Sequence, residues 1–418
     1  MDSFNASLKK YAHLAVRVGL NIQPGQRLII YNSTTRGVPL HTAPLVREIV
    51  REAYGAGASY VDVIWNDQEL IRTRVELAPA DSFGEYSDWH IQGLMDIVER
   101  GGALLTIRSN NPDLLNGLDP ERIGTWQKTH LQKFSPVSSE TSSNKISWLV
   151  MSASGPEWAA RVFPALPVEE AEAKLWEAIF QITRTDQPDP VAAWEEHVKN
   201  LARRANQLTR KKYAALKYTG PGTDLTIGLP AGHKWISAGE KTQTGIRFIA
   251  NIPTEEVFTL PHRGQTEGMV TASMPLSYGG TLMEDFSLTF EKGHVVNVTA
   301  RKGEAILRKL VETDEGAGRL GEVALVPVNS PIAERGHLFY DALIDENASC
   351  HLAVGRGFRV NLEGAQDLSD EEFTQRGGNL SINHVDFMVG SKHLDIDGLR
   401  EDGSSEPLMR QGMWAFPA

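Results

Sequence analysis

Arg27-Leu-Ile-Ile-Tyr31, Thr42-Ala-Pro-Leu-Val46 and Tyr60-Val-Asp-Val-Ile-Trp65 follow one another near the start of the chain, and their reading decides the fold. The first is a short, continuous apolar run of the kind that forms a strand buried on both faces. Thr42 and Pro44 then read as an N-cap and a first-turn proline. Leu45, Ile49, Val50 and Ala53 supply a helical inner stripe, and Gly55 and Gly57 close it. The third piece is a second strand, so the three make one βαβ unit.

Working outward, the same alternation recurs. A helix at 4–20 places Leu8, Tyr11, Ala12 and Ala15 on one face, and Gln23-Pro-Gly-Gln26 is a turn. Ala103-Leu-Leu-Thr-Ile107 follows a helix over 86–99, and Trp148-Leu-Val-Met151 precedes another over 156–162. Strands alternating with helices imply an α/β domain with a mostly parallel sheet covered on both faces. The residues after the first strand, Asn32-Ser-Thr-Thr-Arg-Gly37, carry no GxGxxG fingerprint. A bound dinucleotide is therefore not expected, and this part of the chain reads as a scaffold.

A helix over 168–183 ends near Asp186-Gln-Pro-Asp-Pro190, whose two prolines mark the expected linker. Beyond it Trp194, Val198, Leu201, Ala205 and Leu208 share one helical face. From Tyr213 the texture changes. Thr-Gly-Pro-Gly separates strand-like runs at 214–218 and 224–229, and Glu-Lys-Gly-His separates runs at 286–290 and 295–298. A helix over 302–312 interrupts before strands resume at Glu322 and His384. The expected organisation is an α/β scaffold domain over 1–187 and an α+β domain rich in antiparallel strands over 188–418.

Composition narrows the function. Of 418 residues, 41% are hydrophobic and 23% charged, with a formal charge of −11. That balance suits a globular chain with more than one core. It argues against nucleic acid and anionic membrane surfaces as partners, since both recruit basic patches. No apolar run approaches the ~20 residues that span a bilayer. The start, Met1-Asp-Ser-Phe-Asn5, has no basic region followed by an apolar core. With a single cysteine, Cys350, no intrachain disulfide can form, and a cytoplasmic location is expected.

The residues able to carry chemistry cluster in the last third. Glu255 and Glu256 are adjacent, so in an extended segment one faces a site and the other turns away, unless Thr254 caps a helix whose first turn they occupy. Glu322 opens the buried-looking run Val-Ala-Leu-Val, where a carboxylate needs an ion or a salt-bridge partner. Glu346 and His351 flank Asn-Ala-Ser-Cys, either as ligands or as polar groups of a loop. His384 and Asp386 stand two apart in a strand and face the same way, toward one ion or toward each other. His262 either lines a pocket or belongs to a loop. Cys350 beside His351 is a poor thiol nucleophile, because such pairs are normally distant in sequence. Asp395-Ile-Asp397-Gly398 lacks the rest of a calcium loop and reads as a hairpin turn.

Four of these segments, Asn251-Ile-Pro-Thr-Glu-Glu-Val-Phe-Thr259, Gly321-Glu-Val-Ala324, Asp345-Glu-Asn-Ala-Ser-Cys-His351 and Asn383-His-Val-Asp-Phe-Met-Val-Gly390, resemble the thermophilic-type metallo-aminopeptidases, the family of aminopeptidase T, AmpS and PepS. The likeness runs from Tyr11-Ala-His-Leu-Ala-Val-Arg-Val-Gly19 to Gly412-Met-Trp-Ala-Phe416. It implies a cytosolic homodimer that trims peptides with a free N-terminus using two divalent metal ions, zinc, cobalt or manganese. By position it assigns Glu256, Glu322, Glu346, His351, His384 and Asp386 as ligands. Glu255, outside that set, is the expected proton carrier. His262 and Phe358 are expected on the substrate side. Phe358 stands where the family carries a tyrosine, so a phenolic hydrogen bond to substrate is not expected here. Two other readings compete: a mononuclear iron dioxygenase of aromatic rings, for which the glutamates are surplus, and a binding protein with a structural metal.

Overall fold

Strand β1 (Arg27–Ile30) is apolar along its length because it lies inside a parallel sheet, and Leu28, Ile29 and Ile30 are all buried. The structure, a computed structural model, describes residues 2–278 and 281–417. Strand β2 (Tyr60–Val63) pairs with β1 on one side, Arg27 opposite Tyr60. Strand β3 (Ala103–Arg108) pairs on the other, Leu28 opposite Ala103. Strand β4 (Ser147–Ser152) continues beyond β3. The sheet thus changes direction of growth between β1 and β3.

Helix α1 (Asp2–Leu14) runs on as a π turn over Ala15–Gly19, and its Tyr11 hydroxyl donates to the Ser152 carbonyl at 2.9 Å. Helix α2 (Ala43–Gly55) buries Leu45, Val46, Ile49 and Ala53. Val46, not Val50, completes the stripe. Thr42 does not cap the helix: it has helical angles in a preceding 3₁₀ turn, and its hydroxyl donates to the Pro39 carbonyl at 2.7 Å.

Helices α3 (Gln68–Leu77) and α5 (Pro120–Ser142) are not evident from the sequence, while α4 (Asp88–Glu99) is. Both unexpected helices start from an aspartate, Asp67 accepting from the Glu69 amide and Asp119 from the Glu121 amide. The inner face of α5 is Ile123, Trp126, His130 and Val137, and a histidine in that stripe hides the apolar period.

His130 is 6% exposed and stacks on Trp126 and Phe134. Burial, with Arg36 adding to it, pushes its imidazole down to about 4. The unfolded chain protonates this group near 6.5 and the fold resists it, so stability falls as pH drops from about 6.5 and levels off near 4. Replacing His130→Gln is expected to flatten this dependence by on the order of 3 kcal/mol, read from urea-unfolding midpoints between pH 7 and 4.

By chain contacts the fold divides into two units, Met1–His197 with Gly239–Pro253, and Val198–Ala238 with Thr254–Ala418. The excursion 239–253 belongs to the first unit because Asn251–Ile252 adds a parallel edge strand to β4, Asn251 opposite Val150. The change of unit at 197/198 falls inside helix Pro190–Lys211, not at Asp186–Pro190. The split 1–187 and 188–418 is kept as a proposed division of roles, scaffold and metal-binding.

The second unit holds a long antiparallel sheet and a shorter five-stranded one. The hairpin of Thr281–Glu291 and His294–Lys302 turns at Lys292 and Gly293, both at positive φ, as a two-residue turn requires. Asp395–Leu399 is a strand paired to Ser405–Arg410, not a turn, and Asp397 is held by Arg410. The fold is therefore a parallel α/β unit joined to an antiparallel α+β unit. Among the described residues no helix is long and apolar enough to cross a membrane.

Candidate metal centre

Four neighbouring strands of the five-stranded sheet frame the site, three of them carrying its acidic and imidazole side chains and the fourth following Glu256. They are β5 (Val257–Thr259), β6 (Leu320–Leu325), β7 (His351–Gly355) and β8 (His384–Met388), in the order β8-β7-β6-β5. The register decides what meets. Ala353 lies opposite Glu322 on one side and Asp386 on the other. Gly355 lies opposite His384, and His351 opposite Ala324. Residues directly opposite share a face, as do positions two apart. Glu322, His351, His384 and Asp386 therefore project from one face over a floor of Ala324, Ala353 and Gly355. Val323, Leu352, Val354 and Phe387 point the other way into the core. Gly355 must be glycine, since its φ is 107° and a Cβ would stand 2.3 Å from the Asn383 carbonyl oxygen.

Glu256 enters from the segment before β5, which has no regular secondary structure and is not the start of a helix. His351 Nε2 is 3.0 Å from Glu256 Oε2 and 3.6 Å from Glu322 Oε1. His384 Nε2 is 3.6 Å from Glu322 Oε2 and 3.5 Å from Asp386 Oδ1. Two groups result, Glu256–Glu322–His351 and Glu322–His384–Asp386, each with ligand atoms within 4.8 Å of one another. Glu322 belongs to both and turns one oxygen to each imidazole.

The ring orientations are fixed from behind. His351 Nδ1 lies 3.2 Å from the Ser349 carbonyl, and His384 Nδ1 lies 2.7 Å from that of Arg356. An Nδ1–H donated to a carbonyl leaves Nε2 to serve as a ligand. Burial pushes Glu322 up to about 7, against the pull of His351. Burial works to lower His384, but Asp386 and Glu322 outweigh it and raise the imidazole to about 9. Three carboxylates facing two imidazoles make a donor set of oxygen and nitrogen that fits divalent cations.

The other expected site residues lie around this core. Glu255 is 6% exposed, and its amide donates to Asn347 Oδ1 at 2.7 Å. Glu346 begins a short 3₁₀ turn, is half-buried, and falls in neither ligand group. The Phe358 ring packs 4.8 Å from that of His384 and 6.3 Å from that of Phe258, so it borders the site. His262 sits in its own turn, where Nδ1 accepts from the Gly264 amide at 3.1 Å and the ring faces Gly377. Cys350 is a core residue: its thiol contacts the Val326 carbonyl, and burial pushes it up to about 11. That environment suppresses the thiolate a nucleophile needs.

Sequence reasoning missed Asn347 and Asp345. Asn347 is fully buried and joins the Leu343 carbonyl, at 2.9 Å, to the Glu255 amide. Asp345 accepts from the amides of Phe339 and Asp341, and burial pushes its carboxyl up to about 8. The available signal was two polar residues beside Glu346 in a stretch otherwise rich in Leu, Ile and Ala.

A protein-family model described as thermophilic metalloprotease (M29) matches residues 4–414. The chain belongs to this family. This M29 protein is 47% identical over 416 residues to aminopeptidase AmpS of Bacillus subtilis (strain 168), covering all of both chains. It is 46% identical to aminopeptidase T of Thermus thermophilus, over 99% of this chain and 100% of that one. The solved structure of wild-type AmpT from Thermus thermophilus matches with a TM-score of 0.92 at 44% identity, covering 99% of this chain and 100% of that one. The M29 chain is accordingly a metal-dependent peptide hydrolase.

Its floor residues offer a direct check on the site. Ala353 is fully buried between Glu322 and Asp386. Ala353→Leu would place an isobutyl group among the ligand atoms. We expect ~10- to 100-fold weaker metal binding, comparable to loss of a ligand's supporting contact, by equilibrium dialysis. The overpacking should cost about 1–3 kcal/mol in urea unfolding.

Proposed function

We propose that this M29 protein is an aminopeptidase, hydrolysing the N-terminal residue from peptides with two divalent ions held by Glu256, Glu322, Glu346, His351, His384 and Asp386. One observation carries the pairing: Glu322 directs one carboxylate oxygen to each imidazole, at 3.6 Å in both cases. Such a carboxylate is placed to serve two adjacent ions. Bound divalent ions supply Lewis acidity, polarising the scissile carbonyl and lowering the pKa of a water. The chain's own groups do the rest. Nδ1 contacts to Ser349 and Arg356 hold the two imidazoles in place. Glu255, tied through its amide to Asn347, takes the water's proton and passes it to the leaving amine. Phe358 and His262 are the proposed substrate contacts, Phe358 with the stronger support because its ring packs on His384.

Zinc, cobalt and manganese all suit a mixed carboxylate and imidazole set. A homodimer in the cytoplasm accompanies this reading. The dioxygenase alternative leaves Glu256 and the sharing of Glu322 without a role, and the family and relatives favour neither it nor a non-catalytic binder.

The experiment is release of p-nitroaniline from leucyl- or arginyl-p-nitroanilide before chelation, after chelation, and after re-adding each metal. Loss and metal-dependent recovery support the aminopeptidase. Oxygen uptake with an aromatic substrate would transfer the case to the dioxygenase, and folding without turnover to the binder. Activity should survive iodoacetamide, given the buried Cys350.

A further inference from the structure

The first unit contains an arginine whose surroundings the peptidase chemistry does not use. Arg36 lies in the loop that leaves β1, at the point where the sheet changes its direction of growth and where open α/β sheets commonly take ligands. Its backbone is left-handed, with φ 56°. The loop is built to hold it there. Asn32 donates to the Ile107 carbonyl at 2.9 Å and accepts from the Thr34 amide at 2.9 Å, and Thr35 donates to the Gly37 carbonyl at 2.6 Å.

The guanidinium lies 4.3 Å from the centre of the Tyr86 ring and 6.0 Å from that of Trp126. The side chains whose charge acts on it are Tyr86, Arg74 and Tyr31, none of them a carboxylate. A second cation, Arg74, therefore stands nearby, and among the described residues neither arginine is in an ion pair. Around them Arg36 Nε, Arg74 Nε, the Tyr31 and Tyr86 hydroxyls and His130 Nδ1 are all buried without a well-directed hydrogen-bond partner among the described residues. The Tyr31 side chain is fully buried. Burial, with Tyr86 adding to it, raises the Tyr31 phenol, yet the two hydroxyls do not form a well-directed hydrogen bond. Buried donors are rarely left unmatched, and a half-buried arginine between aromatic rings offers the planar fork suited to an oxyanion.

We propose that Arg36, with Arg74 nearby and Tyr86 and Trp126 as walls, is the anchor of an oxyanion site at the carboxyl end of the parallel sheet, taking a carboxylate or a phosphate group.

The test is phenylglyoxal labelling of the metal-loaded protein, with arginine adducts mapped by mass spectrometry. Labelling is run at fixed ionic strength in chloride, inorganic phosphate or N-acetyl-leucine. Exposed Arg51, paired with Glu48 on its own helix, serves as the internal reference. At least fivefold slower labelling of Arg36 in phosphate, with Arg51 unchanged, supports a phosphorylated ligand. The same protection by N-acetyl-leucine alone supports a carboxylate ligand. Equal Arg36 rates in all three salts overturn the proposal. Because the readout is taken on the native chain and at one residue, it depends neither on a variant folding nor on the state of the metal centre.

Discussion

Glu322→Gln is expected to abolish stoichiometric metal binding and to lower kcat/KM on leucyl-p-nitroanilide by at least ~10³-fold, the scale of losing a metal's electrostatic contribution. The residue is common to both ligand groups, so one substitution weakens both. Glutamine keeps the volume and one acceptor oxygen but loses the charge, and its amide nitrogen cannot ligate. The fold should tolerate the change, because the carboxylate is buried in strand β6 and burial already disfavours its charged form. Chelated wild type and variant should therefore unfold within about 1–2 kcal/mol of each other. Metal content by inductively coupled plasma mass spectrometry, with urea unfolding alongside, separates the two effects. A variant that keeps the wild-type metal content and activity within tenfold would show that Glu322 is a structural carboxylate only.

The parallel unit was legible in the sequence because its strands are continuous apolar runs, and Leu28–Ile30 and Leu104–Leu105 need no partner to be recognised. Helix α5 was hidden by His130 on its inner face. The edge strand Asn251–Ile252 was hidden by its length, since two residues carry no period. The chemical residues were legible by type, as carboxylates and imidazoles interrupting strand-like runs. Their convergence was not. It depends on Ala353 falling between Glu322 and Asp386, a pairing among segments more than thirty residues apart that no local pattern encodes. A slip of one residue in β7 would turn His351 to the core face and Leu352 to the site. The residues by themselves left Glu255 and Glu256 open, and only the family resemblance assigned Glu256 as the ligand. Asn347 holds the Glu255 amide, and Glu256 is the one that reaches His351.

Glu255→Gln is expected to behave differently from Glu322→Gln, and the contrast tests the division between holding ions and moving protons. Loss of a general acid–base group lowers kcat by about 10²–10⁴-fold while leaving the ligands in place. Metal content should stay at the wild-type value and KM should change little. The Asn347 contact is made by the Glu255 backbone amide, so it survives replacement of the side chain. Glu256→Gln provides the control one residue away. It removes the carboxylate 3.0 Å from His351 and should lower metal content along with activity. Steady-state kinetics on both variants at saturating metal, with metal analysis of the same samples, gives the comparison. If Glu255→Gln loses ions in step with activity, the residue is a ligand and the proton carrier must be sought elsewhere. If it keeps its metal and full kcat, the proton is not transferred through position 255.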